Sequence, residues 1–163
     1  TRSGRDAFER IAIALEDAEP DGAWSAARGV LAQALGQAQR SARRGALQVV
    51  LTDMLDLPGG SLETLTTLTT RGRMLQVIQV LSPAERDFPF EGAVQLRALE
   101  GKTLIETDAA LSRQNYLAAL AAAQKSAEQQ LLPRGGRLLK CATNDVPEEL
   151  VRRILSSHVE PSA

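Results

Sequence analysis

Apolar and polar positions change rhythm several times along the chain, and those changes divide it into elements. Leu47 to Leu51 is apolar except for Gln48, and Met74 to Leu81 is apolar except for Gln76 and Gln79. Runs this short and rich in valine predict strands covered on both faces rather than helices. Between them, Leu57-Pro58-Gly59-Gly60 reads as a loop, after which Ser61 caps a helix with Leu62, Leu65 and Leu68 on one face. Threonines occupy much of the remaining surface, and Arg71-Gly72 ends the segment with a basic turn and a glycine stop. Strand, helix and strand at this spacing predict a βαβ unit, hence a parallel sheet with a right-handed crossover.

Helical spacing dominates elsewhere. Phe8, Ile11 and Leu15 predict a helix from Arg5 to Asp17, capped by Ser3 or Asp6 and ended by Pro20. Asp21 opens a longer helix whose stripe of Trp24, Ala27, Leu31, Ala34, Ala38 and Ala42 runs to Gly45, with Trp24 as a core anchor. Ser82-Pro83-Ala84-Glu85 leads out of the second strand, and Phe88-Pro89-Phe90 suits a plug between sheet and loop better than a partner-binding tip. Ala93 to Leu99 and Lys102 to Thr107 alternate around Glu100-Gly101, the pattern of an antiparallel hairpin. Asp108 caps a helix to Leu132 with Tyr116, Leu120, Ala123, Ala127 and Leu131 on one face. Arg137 to Ala142 predicts a last strand, and Asp145 and Pro147 open a final helix with Glu148 and Glu149 in its first turn and Arg152 and Arg153 in its last. The order of elements predicts an α/β fold over a single domain, residues 1–163.

Composition narrows the functional classes. A chain of 163 residues with 44% hydrophobic content supports one core, and a net charge of −1 with a pI near 5.9 gives no electrostatic case for nucleic acid or an anionic membrane. The arginine pairs, such as Arg43-Arg44, fall near helix ends where the dipole accounts for them. Cys141 is the only cysteine, so no internal disulfide or thiolate metal cage forms, and a reducing cytoplasmic location is expected. No apolar run is long enough to span a membrane. The chain opens on Thr1 rather than methionine, which predicts that it was processed or cut from something larger.

Candidate chemistry centres on Asp53. With Thr52, it falls where a parallel strand delivers side chains to the carboxyl edge of a sheet, the usual ligand address of open α/β folds. The chain has no G-x-S-x-G elbow, Walker loop, G-x-G-x-x-G, paired histidines or D-x-D after a strand. His158 falls in the tail and is not a catalytic candidate. One enzyme reading remains: Asp53 as the phosphate acceptor of a metal- or phosphate-dependent, receiver-like domain, with Lys140 as its charge partner. It lacks the adjacent acidic pair that would hold Mg²⁺.

The segments RRGALQVVLTDMLD and TTRGRMLQVIQVLSPAERDFPFEGAVQLRALEGKTLIETD, followed by an alanine-rich helix containing RQNY, carry a family resemblance. From about Gly4 to Leu155 the chain resembles the carboxyl-terminal half of a bacterial von Willebrand factor A-like family of unknown function, whose genes often lie beside MoxR-type AAA+ ATPases. The resemblance implies a Rossmann-like, mostly parallel sheet with flanking helices and an added hairpin, and a role in binding proteins rather than catalysis. Such domains build a metal-ion-dependent adhesion site from a D-x-S-x-S after the first strand, a threonine in a middle loop and an aspartate after the fourth strand. Asp53 matches the third of these. The chain contains no D-x-S-x-S, and its only threonine before Thr52 is Thr1. Asp53 is therefore expected to be part of an incomplete, empty metal site, with Mg²⁺ as a cofactor only if upstream loops were supplied.

The resemblance also implies that the family's first strand is missing beside the strand that ends at Thr52. The exposed edge would then pair with a second copy in a homodimer, be covered by the N-terminal helices, or lie beside an absent segment. The expected role is a non-enzymatic interaction domain whose partner is a protein, with an AAA+ ATPase as the candidate the resemblance implies.

Overall fold

A computed structural model describes residues 4–18, 28–55, 57, 59–97 and 104–159. Among these residues the elements run α1 (Arg5–Glu16), α2 (Arg28–Ser41), β1 (Leu47–Thr52), α3 (Ser61–Thr66), β2 (Met74–Leu81), α4 (Pro83–Asp87), β3 (Ala93–Arg97), β4 (Leu104–Asp108), α5 (Ala109–Leu131), β5 (Gly136–Ala142) and α6 (Pro147–Val159). The fold is α/β: β1, β2 and β5 form a parallel sheet in the order β1-β2-β5, and β3 and β4 form a separate antiparallel pair. The βαβ unit predicted from the two apolar runs is present, with Leu47 opposite Met74 and Thr52 opposite Gln79. Trp24 and the hairpin turn at Glu100-Gly101 lie outside the described residues.

The core gathers on one face of the central strand. Leu75 and Val77 of β2 are buried with Leu35 of α2, Leu65 of α3, Leu68 in the 3-10 turn after α3, and Leu131 of α5. Val50 of β1 and Leu138 of β5 pack against this cluster from the flanking strands. Because side chains alternate along a strand, Ile78 serves the opposite face, where it is also buried.

Expected coverage fails at β1. Its apolar composition predicts burial on both faces, yet Val49 is 43% and Leu51 67% exposed. The strand has β2 on one side and no other strand among the described residues on the other. The run of valine and leucine specified a strand, but covering it requires a neighbour that composition does not supply. In α1 the expected stripe forms a helix, but no residue of it is buried and Phe8 is 71% exposed.

Helix ends depart from expectation in instructive ways. α1 starts at Gly4 with no side-chain cap, so Asp6 sits inside the first turn rather than capping it. In α3 the cap is Gly60 in the left-handed region, φ 83°, and Ser61 becomes the first helical residue. The threonines there bend the helix into its 3-10 end: Thr66 and Thr67 donate to the carbonyls of Glu63 and Thr64 at 2.7 and 2.6 Å, and Thr69 to that of Thr66 at 2.7 Å. The segment that leaves β2, to which the sequence pattern assigns no element, forms the short helix α4. Ser82 Oγ accepts from Glu85 N at 3.2 Å, and Glu85 Oε2 accepts from Ser82 N at 2.7 Å, a full capping box with proline in the first turn.

In α5 Asp108 caps as expected, its Oδ1 accepting from Ala110 N and Leu111 N. Ala123, however, is exposed, and Gln124 takes its place on the inward stripe. Arg152 and Arg153 fall in the middle of α6 rather than its last turn, since that helix continues to Val159. Phe88 is buried and packs edge-on against Phe90 and tilted against Tyr116, both with centroids 5.1 Å away, so the aromatic plug forms mainly through Phe88.

Candidate functional site

The carboxyl edge of the parallel sheet gathers three turns, one after each strand. After β1, Thr52 Oγ1 accepts from Met54 N at 3.0 Å and Asp53 Oδ1 accepts from Leu55 N at 3.0 Å. These two side-chain turns hold Met54 at φ 60°, a left-handed value rare for a residue with a side chain. Met54 turns back against the core, and Asp53 stays exposed. After β2, Glu85 spends one carboxylate oxygen on the Ser82 amide, while its own carbonyl accepts from the Tyr116 hydroxyl at 2.6 Å. After β5, Asp145 Oδ2 accepts from Ala142 N at 3.0 Å. Each acid therefore satisfies a backbone amide of its own turn.

Gln79 anchors the Asp53 turn from below. It is 2% exposed; its Nε2 donates to the Asp53 carbonyl at 3.0 Å, and its Oε1 accepts from Gln124 Nε2 at 2.7 Å. An amide suits this position because it supplies a donor and an acceptor at once, both satisfied without a buried charge. Gln79 and Gln124 are the residues that sequence reasoning missed. The signal was a glutamine inside an otherwise apolar strand, but its partner on α5 lies 45 positions away.

Lys140 does not reach Asp53. It stands on β5, two strands away from β1, a separation of roughly 10 Å at the usual spacing between neighbouring strands. Its Nζ pairs with Glu128 of α5 at 2.9 Å. The receiver-like constellation is thus not assembled. For a divalent cation, Asp53 brings one carboxylate with one oxygen engaged by an amide, and among the described residues no group of three His, Cys, Asp or Glu side chains could hold a metal ion. Mg²⁺ demands near-ideal octahedral oxygen geometry, so these residues do not fit it.

Cys141 sits near the same edge on the buried side of β5. Burial, with the Asp145 carboxylate adding to it, raises its thiol above the ordinary value. The folded state therefore holds the proton to higher pH than the unfolded chain. Below the ordinary thiol range both states are protonated and the contribution is intact. As pH rises through the elevated value it is lost. Urea denaturation across pH 8 to 11 should show a decline in stability that is shallower in Cys141→Ala; identical slopes would remove Cys141 as its source.

A family model described as a protein of unknown function, DUF58, matches residues 1–127. Among solved structures, the chain is similar to a crystal structure of the conserved hypothetical protein BatB from Bacteroides thetaiotaomicron, at 15% identity and a TM-score of 0.52, covering 92% of this chain and 68% of that one. It is also similar to an aerotolerance-related membrane protein from Bacteroides fragilis, at 18% identity and a TM-score of 0.49, covering 92% and 69% respectively. A comparison with curated proteins gives no match. The likeness to BatB supports the fold alone. Among the described residues no helix is long and apolar enough to cross a membrane.

Proposed function

Since the chain belongs to the DUF58 family of proteins of unknown function, we propose that it is a non-enzymatic interaction domain that binds another protein, in the cytoplasm, as partner or adaptor of a MoxR-type AAA+ ATPase. The observation that carries this reading is exposed apolar surface at two places: Val49 and Leu51 on β1, and Phe8, Ile11 and Leu15 along α1. Exposed apolar groups gain free energy when a partner covers them. The von Willebrand A-like resemblance and its gene neighbourhood supply the ATPase as the partner to try first.

Two measurements test the reading. Calorimetric titration with Mg²⁺ and Mn²⁺ should give millimolar binding or none, unchanged in Asp53→Ala. Tight binding that depends on Asp53 would replace the interaction reading with that of an aspartate-centred enzyme. A purified MoxR-type ATPase from the same cell should bind the chain saturably, and binding should persist in Asp53→Ala. Absence of binding would remove the ATPase as partner.

A further inference from the structure

The three parallel strands begin side by side, with Leu47 opposite Met74 and Leu75 opposite Gly136, so the turns that feed them gather at the amino edge of the sheet within roughly 10 Å. Each turn carries arginine: Arg43 and Arg44 before β1, Arg71 and Arg73 before β2, and Arg134 and Arg137 around the start of β5. All but Arg73 are exposed. No carboxylate accompanies them in the chain, because residues 28–52, 64–84 and 129–144, the segments that contain these turns, hold no aspartate or glutamate. A net charge of only −1 thus conceals a basic edge, with every acid placed outside these segments.

Helix-end electrostatics does not account for the cluster once the turns are brought together. Arg73 already donates to the carbonyls of Gln39 and Ala42 at the end of α2, so Arg43 and Arg44 are not needed there. Arg44 leans instead over the next turn: its Nε lies 3.9 Å from where a β-carbon on Gly72 would stand, between Arg71 and Arg73. Arg134 Nη1 donates to Thr66 Oγ1 at 3.2 Å, which ties the turn before β5 to the end of α3. The ion pairs among the described residues involve none of these six arginines. Like charges gathered without a counter-charge repel one another, and an arriving anionic group relieves that repulsion.

We propose that this arginine edge binds an acidic segment of a partner protein, a short run of aspartate or glutamate laid across the starts of β1, β2 and β5. It goes beyond the interaction reading, since it uses none of the apolar residues on which that reading rests. Every cation in the cluster is an arginine, whose planar fork meets a carboxylate through two parallel hydrogen bonds. An extended peptide advances about 3.3 Å per residue, so roughly four residues cross the three strand starts. Two observations favour a protein segment over nucleic acid. The three segments hold no aromatic side chain on which a base could stack. The acids, all placed elsewhere in the chain, repel a long polyanion that runs past the edge.

The test uses the whole chain, with fluorescein-labelled hexaglutamate as the probe. Fluorescence anisotropy should report saturable binding with a dissociation constant on the order of 100 μM at about 50 mM salt, weakening as salt is raised, while hexaglutamine gives none. Arg44→Ala combined with Arg71→Asn should weaken binding about tenfold, and so should Arg134→Ala combined with Arg137→Ala. Asparagine is chosen at position 71 because the φ of 64° there is left-handed. Arg113→Ala combined with Arg152→Ala removes the same charge from exposed positions on α5 and α6, and should change binding less than about twofold. Circular dichroism would establish that all three variants keep the fold. Absence of saturable binding below about 1 mM, equal weakening in the α5 and α6 variant, or tighter binding of a short duplex DNA through the same arginines would each overturn the proposal. No ATPase enters the measurement and no variant touches Val49, Leu51 or α1, so its failure is distinct from failure of the interaction reading.

Discussion

Arg73→Met is expected to lower the unfolding free energy by about 2 to 4 kcal/mol, the range for losing charge-assisted hydrogen bonds to buried carbonyls. Arg73 is 7% exposed, and its Nη2 donates to the carbonyls of Gln39 at 2.8 Å and Ala42 at 2.6 Å. Those carbonyls are among the groups that the end of α2 leaves without intrahelical partners, at the negative end of the helix dipole. Methionine preserves much of the volume while removing donors and charge, so the variant isolates the polar term. The loss stays below the sum of two ideal bonds because desolvating a guanidinium is costly, and Nε finds no partner among the described residues. Arg73→Lys should recover part of the stability, since an ammonium reaches these acceptors with a less suitable geometry. Urea unfolding with unchanged m-values measures both variants; a loss below about 0.5 kcal/mol in Arg73→Met, the scale of an ordinary surface substitution, would contradict the account. Because α2 leads into β1 through Arg43 and Arg44, the same variant should increase amide exchange at the start of that strand.

Leu75→Ala is expected to cost about 3 to 5 kcal/mol, whereas Leu51→Ala should cost about 1 kcal/mol or less in the monomer. Both leucines stand in apolar strand runs that predict burial. Leu75 is fully buried at the centre of the sheet, against the cluster contributed by α2, α3 and α5, so truncation removes contacts and opens a cavity. Leu51 is 67% exposed on the edge strand, and truncation there removes surface that already meets water. Comparable losses at the two positions under dilute, monomeric conditions would mean that the front of β1 is covered after all.

Much of the fold was legible because local chemistry repeats a local rule. The two apolar runs, the leucines of α3 and the Asp108 cap each specify an element within a few residues, and the spacing of those elements specifies a parallel βαβ unit. The missed elements show where such signals compete. The sequence pattern assigns Ser82-Pro83-Ala84-Glu85 no element, yet serine followed by glutamate at the third position is a capping box, and the structure realises it. Ser61 reads as a cap, but Gly60 takes that place in a left-handed conformation that needs no side chain.

The site was legible only as an address. Asp53 lies just past the strand end where the apolar run from Leu47 to Leu51 turns polar, and it is exposed. Its surroundings depended on contacts between distant segments: Gln79 and Gln124 brace its backbone, and Glu128 takes the lysine considered as its partner.

The sequence by itself determined the kinds of element, their order, the parallel crossover and the position of Asp53, because propensity, capping and periodicity act over a few residues. Tertiary structure alone decided that Val49 and Leu51 of β1 stand exposed, that Arg73 is buried against the end of α2, and that Lys140 belongs to Glu128. The physical reason is that periodicity tells which face of an element is apolar, while burial and pairing depend on whether another segment arrives to cover that face.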